Sequence, residues 1–375
     1  MVRFASAAAL LLVSACGGGG DATPAANPNS NLPADAVALE AATQSGMRSA
    51  MGRLVAYEQT LMFSLDPGSR LTPNIVFAND TSPGAAPYSV TFAGTVDSGF
   101  DEPAKTSVSG KATYAEDPTM PFTSVAGHAT VDVTILGMLK VYHADVAFSV
   151  GATERTLSGS GRLQDPASGN ATTMTIDAAH PLRIVPATNT TANACGYVID
   201  GDVRLAVTSA QGTYAATWHF VPAKSTVTVD AATYTSGGVV TPMPPVEADL
   251  RCNDAGATTA DWNGVYSQVW GCLPFELGTG TLTLTAKDAV TVTVNDEDPP
   301  GSGNGDLYDV TVVGSSPRSL RGFFFAGPIG FRYREDFNWT LSPDKKRFFQ
   351  TSRYVYQDGP NVGKGGNCFA LASKQ

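Results

Sequence analysis

The chain is short of the residues that do chemistry. It has four histidines in 375 residues, His128, His143, His180 and His219, and only 15% charged residues. No histidine stands in a His-Glu-x-x-His run, and each lies in or beside a stretch that reads as strand, so surface or turn positions are expected. No Gly-x-Ser-x-Gly elbow, Walker loop or dinucleotide-binding fingerprint occurs, so the common signatures of esterases and nucleotide enzymes are missing. Gly301-Ser-Gly-Asn-Gly305 follows Pro299-Pro300 and leads into a strand. A phosphate cradle needs a helix amino terminus there, so this is read as a flexible loop. No cofactor is expected, and no enzyme. Beyond the first residues no apolar run approaches the ~18 residues that mark a spanning helix. Basic excess is missing too. The net charge is −10 and the isoelectric point about 4.8, which argues against nucleic acid and anionic lipid head groups as partners. Residues 260–375 carry 11 Lys+Arg against 12 Asp+Glu, so the acidity lies before them.

What is present begins at the amino terminus. Arg3 precedes an apolar segment from Phe4 to Val13, which is too short for a bilayer core of about 30 Å and reads as a secretory signal. The segment ends in Val13-Ser14-Ala15-Cys16, followed by four glycines. This stretch resembles the lipobox of bacterial lipoproteins. The resemblance implies that residues 1–15 are a signal peptide, that Cys16 carries a diacylglyceryl thioether, and that the new amino terminus is acylated (palmitate or a similar chain). Several acyl chains give stable anchoring at about 0.8 kcal/mol per buried CH₂. In lipoproteins an aspartate after the cysteine favours the inner membrane; Gly17 stands there, which implies the outer membrane, periplasmic or surface-facing. Residues 16–33 are a tether of Gly, Pro, Asn and Ala without apolar period, which cannot order itself. It averages roughly 25 Å end to end and reaches about 60 Å at full stretch.

Four further cysteines remain, Cys195, Cys252, Cys272 and Cys368. An even number in an exported chain reads as two disulfides, with three possible pairings. We favour Cys195–Cys252 with Cys272–Cys368. The second would join the first and last strands of the C-terminal domain, and a loop of about 95 residues is worth roughly 4–5 kcal/mol in the chain-entropy account.

The chain is mainly β by its patterning, in two domains. Residues 34–235 open with a helical stretch to residue 62, where Met47, Met51, Leu54, Val55, Leu61 and Met62 recur at three- and four-residue steps. Alternating runs follow, such as Tyr88–Phe92, Ala129–Ile135, Val203–Val207 and Ser225–Val229. Val108–Thr113 returns as Val125–Thr130, about one hairpin later. The expectation is a helix plus an antiparallel meander, as sandwich or half-barrel. Residues 236–259 read as a linker, because Pro242, Pro244 and Pro245 prevent a central strand.

Residues 260–375 hold 17 of the 33 aromatics. Phe331, Tyr333, Phe337, Trp339 and Leu341 alternate with Arg332, Arg334, Asp336, Asn338 and Thr340, a strong strand signal. Another hairpin runs from Thr281–Ala286 to Val290–Val294. About seven or eight strands fit here, a small aromatic-rich antiparallel barrel or compact sandwich. Trp262-Asn-Gly-Val-Tyr266 is similar to the opening strand of lipocalin-like barrels, and the likeness stops at those five residues.

One metal candidate stands out: Asp296 and Asp298 with Asp306 and Asp309, whose carboxylates suit weak calcium binding outside EF-hand spacing. The functional expectation is a non-enzymatic binding or assembly module of the cell envelope, held to the membrane by its lipid anchor. The alternative is a carrier of a hydrophobic ligand or lipid in a half-barrel or barrel cavity. Its partner is then an envelope protein or a hydrophobic ligand, and not nucleic acid. Filled cores with an exposed apolar patch favour the first and a lined apolar cavity the second. Replacing the lipidated residue tests the anchor: Cys16→Ser is expected to move the exported protein from the membrane to the soluble fraction, and continued membrane partition would remove the lipobox assignment.

Overall fold

A computed structural model describes residues 32–41, 43 and 75–375, apart from 83, 98–104, 118–120, 136–139, 152–153, 165–168, 187–196, 225, 250–256, 273–275, 298–304, 315 and 342–344. The signal and lipobox stretch, Cys195, Cys252, Asp298 and the methionine stripe of the expected helix lie outside the described residues. The part of that helix that is described, residues 34–41 (α1), buries Ala36 and Leu39. Its Asp35 Oδ2 accepts hydrogen bonds from Tyr234 Oη at 2.7 Å and Ser209 Oγ at 2.9 Å.

The first sheet is antiparallel. Its strands are β1 (Ile75–Asn79), β2 (Tyr88–Asp97), β3 (Lys105–Tyr114), β4 (Val125–Ile135), β5 (Lys140–Val150), β6 (Arg155–Gln164), β7 (Ala171–Ile176), β8 (Leu182–Pro186), β9 (Tyr197–Thr208), β10 (Thr213–Val221), β11 (Thr226–Val229), β12 (Thr233–Ser236), β13 (Val239–Pro242) and β14 (Val246–Asp249). The main path runs β1-β2-β3-β4-β5-β6-β7-β9-β10-β11-β14. It is a meander because each strand is short, alternates, and ends in turn residues, so its neighbour in sequence is its neighbour in space. β10 shows the period plainly: Tyr214, Ala216, Trp218 and Phe220 are buried and the residues between them are half-buried. Gly159, at φ +124°, sits so close to the backbone of Asp145 and Val146 that no Cβ fits. The stretch expected as linker in fact continues this sheet: β13 pairs with β12, and β14 with β11. Pro242 is tolerated because, among the described residues, β13 has no partner beyond β12, so the missing N–H breaks no central ladder.

A 3₁₀ turn, Thr259–Trp262, leads into the second sheet. Its strands are β15 (Gly264–Cys272), β16 (Glu276–Ala286), β17 (Thr291–Glu297), β18 (Asp306–Val313), β19 (Ser316–Ala326), β20 (Tyr333–Leu341), β21 (Arg347–Tyr356) and β22 (Gly365–Lys374). They close into an eight-stranded antiparallel barrel, with β22 back against β15. Eight strands leave an interior that side chains can fill. Here Trp262, Tyr266, Phe337, Trp339 and Phe348, each at most 1% exposed, occupy it with Leu282, Leu284, Val292, Val294, Val310, Leu320 and Leu341. The rings are in contact: Trp339 lies 4.7 Å from Phe348 and 5.1 Å from Phe337, centroid to centroid. Trp262 caps one end and donates its indole N–H to Pro317 O at 2.7 Å. In the ladder that closes the barrel Cys272 stands opposite Cys368, which is buried and disulfide-bonded.

The two sheets meet at Phe122 and Gly365, which exchange backbone hydrogen bonds at 2.9 and 3.2 Å. The alternation from Phe331 to Leu341 begins later than its sequence pattern suggests. Pairing starts at Tyr333, and Phe331 stays in the preceding loop because Gly327 and Gly330, both at positive φ, turn the chain there.

Candidate functional site

The outer face of β19 carries an unusual surface. Phe323, Phe324 and Phe325 are consecutive, and strand parity sends the middle one inward and the other two out. Phe323 is 50% and Phe325 61% exposed. Their rings meet edge to face with centroids 5.9 Å apart. Arg334 stands across the ladder from Phe325, and its guanidinium lies 4.2 Å above the Phe323 ring and 6.0 Å from that of Phe325. Asp336 fixes it there through Nε to Oδ2 at 2.9 Å and Nη2 to Oδ1 at 2.7 Å, and this pairing raises the Arg334 pKa further above its usual value. The patch continues into the β19–β20 loop with Phe331 and with Ile329, which is 89% exposed. That loop is pinned by Arg332, whose backbone N–H and Nε both donate to Asp358, at 2.7 and 2.8 Å. The cluster is two large rings and a stacked cation, with little side-chain freedom left to lose.

Inside the barrel the same strand holds a charge. Glu335 falls on the inward parity of β20, between Tyr333 and Phe337, and is 3% exposed. Its Oε1 accepts from Ser352 Oγ at 2.5 Å and Gln350 Nε2 at 3.0 Å, while Gln350 Oε1 accepts the Trp339 indole N–H at 2.7 Å. Burial pushes the Glu335 pKa up to about 7, against a smaller lowering by the two donors, and the Asp296 charge adds to the rise. Tyr308 donates to Asp296 Oδ2 at 3.3 Å and is itself pushed well above its usual range, by burial first and Asp296 second. Nothing flagged Glu335 in the sequence except parity: it interrupts an apolar face at an inward position.

The three calcium candidates among the described residues do not converge. Asp296 and Asp306 are opposed across β17–β18, but Asp309 has the other parity. Its carboxylate is taken by Lys287 Nζ at 2.6 Å and Thr293 Oγ1 at 2.7 Å, and the lysine holds it below the usual carboxylate range. No group of three or more potential ligands assembles among the described residues.

Three histidines have partners that spacing did not reveal. His143 faces Asp132 and His219 faces Asp202 directly across their ladders, each at 2.8 Å, and His128 meets Asp145 on the diagonal at 2.5 Å. All three pairs lie on exposed strand faces, where an ion pair is worth about 0–1 kcal/mol.

No protein-family model matches the chain, and no curated protein matches it. Among solved structures it is similar to a DUF3598-family protein of unknown function from Nostoc punctiforme, at 9% identity, with 84% of this chain and 98% of that one covered and a TM-score of 0.22.

Glu335 makes the barrel's stability depend on pH. The folded state keeps a proton that the unfolded chain, with its ordinary value of 4.5, has released. Stability therefore falls as pH rises from about 4.5 to about 7 and is level above that, a total of about 3 kcal/mol. Glu335→Gln keeps an acceptor for both donors and should flatten this dependence, with a gain of up to about 3 kcal/mol at pH 8. Denaturant unfolding of both chains at pH 5 and pH 8 checks it.

Proposed function

We propose that this chain is a lipid-anchored, non-enzymatic binding module of the cell envelope that meets a partner protein through the β19–β20 hairpin. One observation carries the reading: the barrel is packed with its own aromatic side chains while Phe323, Phe325 and Arg334 form an ordered apolar–cationic cluster outside it. Exposed contiguous apolar patches on a folded domain mark contact sites. Aromatic residues and arginine dominate the energies of such contacts. A packed interior weighs against the carrier alternative, because a ligand of drug-like size needs roughly 300 Å³ or more. The anchor on Cys16 and the outer-membrane address belong to the same proposal, resting on the lipobox resemblance.

The hairpin is tested in the living envelope. A photo-crosslinking residue in place of Phe325 should give a discrete adduct, and Phe323→Ser in the same chain should weaken it about tenfold or more, as loss of a central contact does. No adduct, or one indifferent to Phe323, would remove the hairpin as the contact.

We also assign Cys272 and Cys368 to one disulfide. Residues opposed in an antiparallel ladder have Cα atoms about 4.5–5.5 Å apart, within the range a disulfide spans. The bridge would lock the seam where the barrel's first and last strands meet. Reductant is then expected to lower the unfolding free energy by roughly 4 kcal/mol, measured by denaturant titration. Identical curves with and without reductant would exclude it.

A further inference from the structure

Arg353 lies at the junction of the two sheets. Ser352 and Tyr354 are buried in the barrel interior, so Arg353, between them on β21, points out of it. It points at the first sheet's Phe122 segment. Its Nη2 donates to Phe122 O at 3.2 Å and Thr123 O at 3.1 Å, and the guanidinium carbon lies 5.2 Å from the Phe122 ring centroid. The other nitrogens are different. Nε and Nη1 are both buried and make no hydrogen bond. Burial disfavours the charged form of this group; Tyr354 next to it acts the other way, and the neighbouring charge of Arg155, at the start of β6, disfavours it again.

A buried guanidinium with open donors and a second cation beside it is a costly arrangement if nothing else is there. It is a favourable one for an anion. Guanidinium N–H groups match the oxygens of phosphate in charge and direction, and two cations in a partly dehydrated setting share one oxyanion better than either would alone. Phe122 lies against the guanidinium, so the unmade donors are on its edge.

We propose that the seam between the two sheets binds a phosphate-type oxyanion at the open donors of Arg353, with Arg155 as the second positive charge. The anion would join the barrel to the first sheet, since Arg353 belongs to one and holds backbone carbonyls of the other. Free inorganic phosphate and the phosphoryl group of a lipid headgroup present the same chemistry. The proposal does not depend on the hairpin or on the anchor.

Thermal unfolding of the full chain with Cys16→Ser separates the cases. The probes are sodium phosphate and dihexanoyl phosphatidylglycerol below its micelle concentration, each against sodium chloride at equal ionic strength. A saturable rise in the midpoint above chloride is expected. A rise with phosphate identifies the free ion, and a rise with the lipid alone identifies a headgroup. Arg353→Lys, which keeps the charge and loses the planar donors, should weaken the apparent affinity about fivefold or more, and Arg353→Met should abolish the response. Phosphate titration followed by phosphorus NMR on the unsubstituted residue 353 gives a second reading that needs no variant to fold. No effect beyond chloride by either method, or a response that Arg353→Met retains, would overturn the site.

Discussion

Closure of β15 to β22 around an aromatic stack is the constraint on which the rest of the C-terminal half depends. Eight strands fix the bore, and rings fill it: Trp262 from the entering turn, Tyr266 from β15, Phe337 and Trp339 from β20, Phe348 from β21. Removing a buried ring of this kind costs about 3–5 kcal/mol, comparable to a large part of a domain's net stability. The filling also determines what the barrel can do. Rings occupy the bore, and β19 also places rings outside it by running three phenylalanines through an alternating strand. Phe324 goes to the core, and its neighbours stand on the surface with Arg334 laid across them.

The polar end of the bore follows from the same packing. A carboxylate placed between Tyr333 and Phe337 cannot reach water, so its neighbours must satisfy it. Gln350 and Ser352, two and four residues beyond the ring of Phe348 on the adjacent strand, do so, and the Trp339 indole holds Gln350 in place. The network costs little while Glu335 keeps its proton, and more when it loses it. The barrel therefore links a structural core to the acidity of its surroundings through one side chain.

Much of this architecture was legible in the sequence because period-two patterning reports directly on a half-buried strand. The β20 face, the β16–β17 hairpin and the change in aromatic density after residue 260 all identified the second sheet, and the meander followed from short runs between turn residues. What escaped notice depended on register and not on pattern. That His143 meets Asp132 and that Asp309 faces away from Asp296 are facts about which residues oppose one another. A slip of one residue would invert each of them. The proline-rich stretch after residue 236 misled for a related reason: proline excludes a central strand, but β13 has a partner on one side only. The outward placement of Phe323 and Phe325 was equally invisible, since three successive rings carry no alternation of their own.

The junction of the two sheets is where local rules and global assembly disagree most. Glu335, buried in the barrel, has its partners on the adjacent strand of the same sheet. Arg353 has its partners in the other sheet, and only for one nitrogen. Two backbone hydrogen bonds between Phe122 and Gly365 also cross this junction. The guanidinium of Arg353 is thus half satisfied across the junction, with two buried donors unmade. Local consistency prevails across a folded chain except where something further is bound or moved. The unmade donors of Arg353 therefore mark the junction, more than either sheet's interior, as the place where an added ligand would change how the two halves hold together.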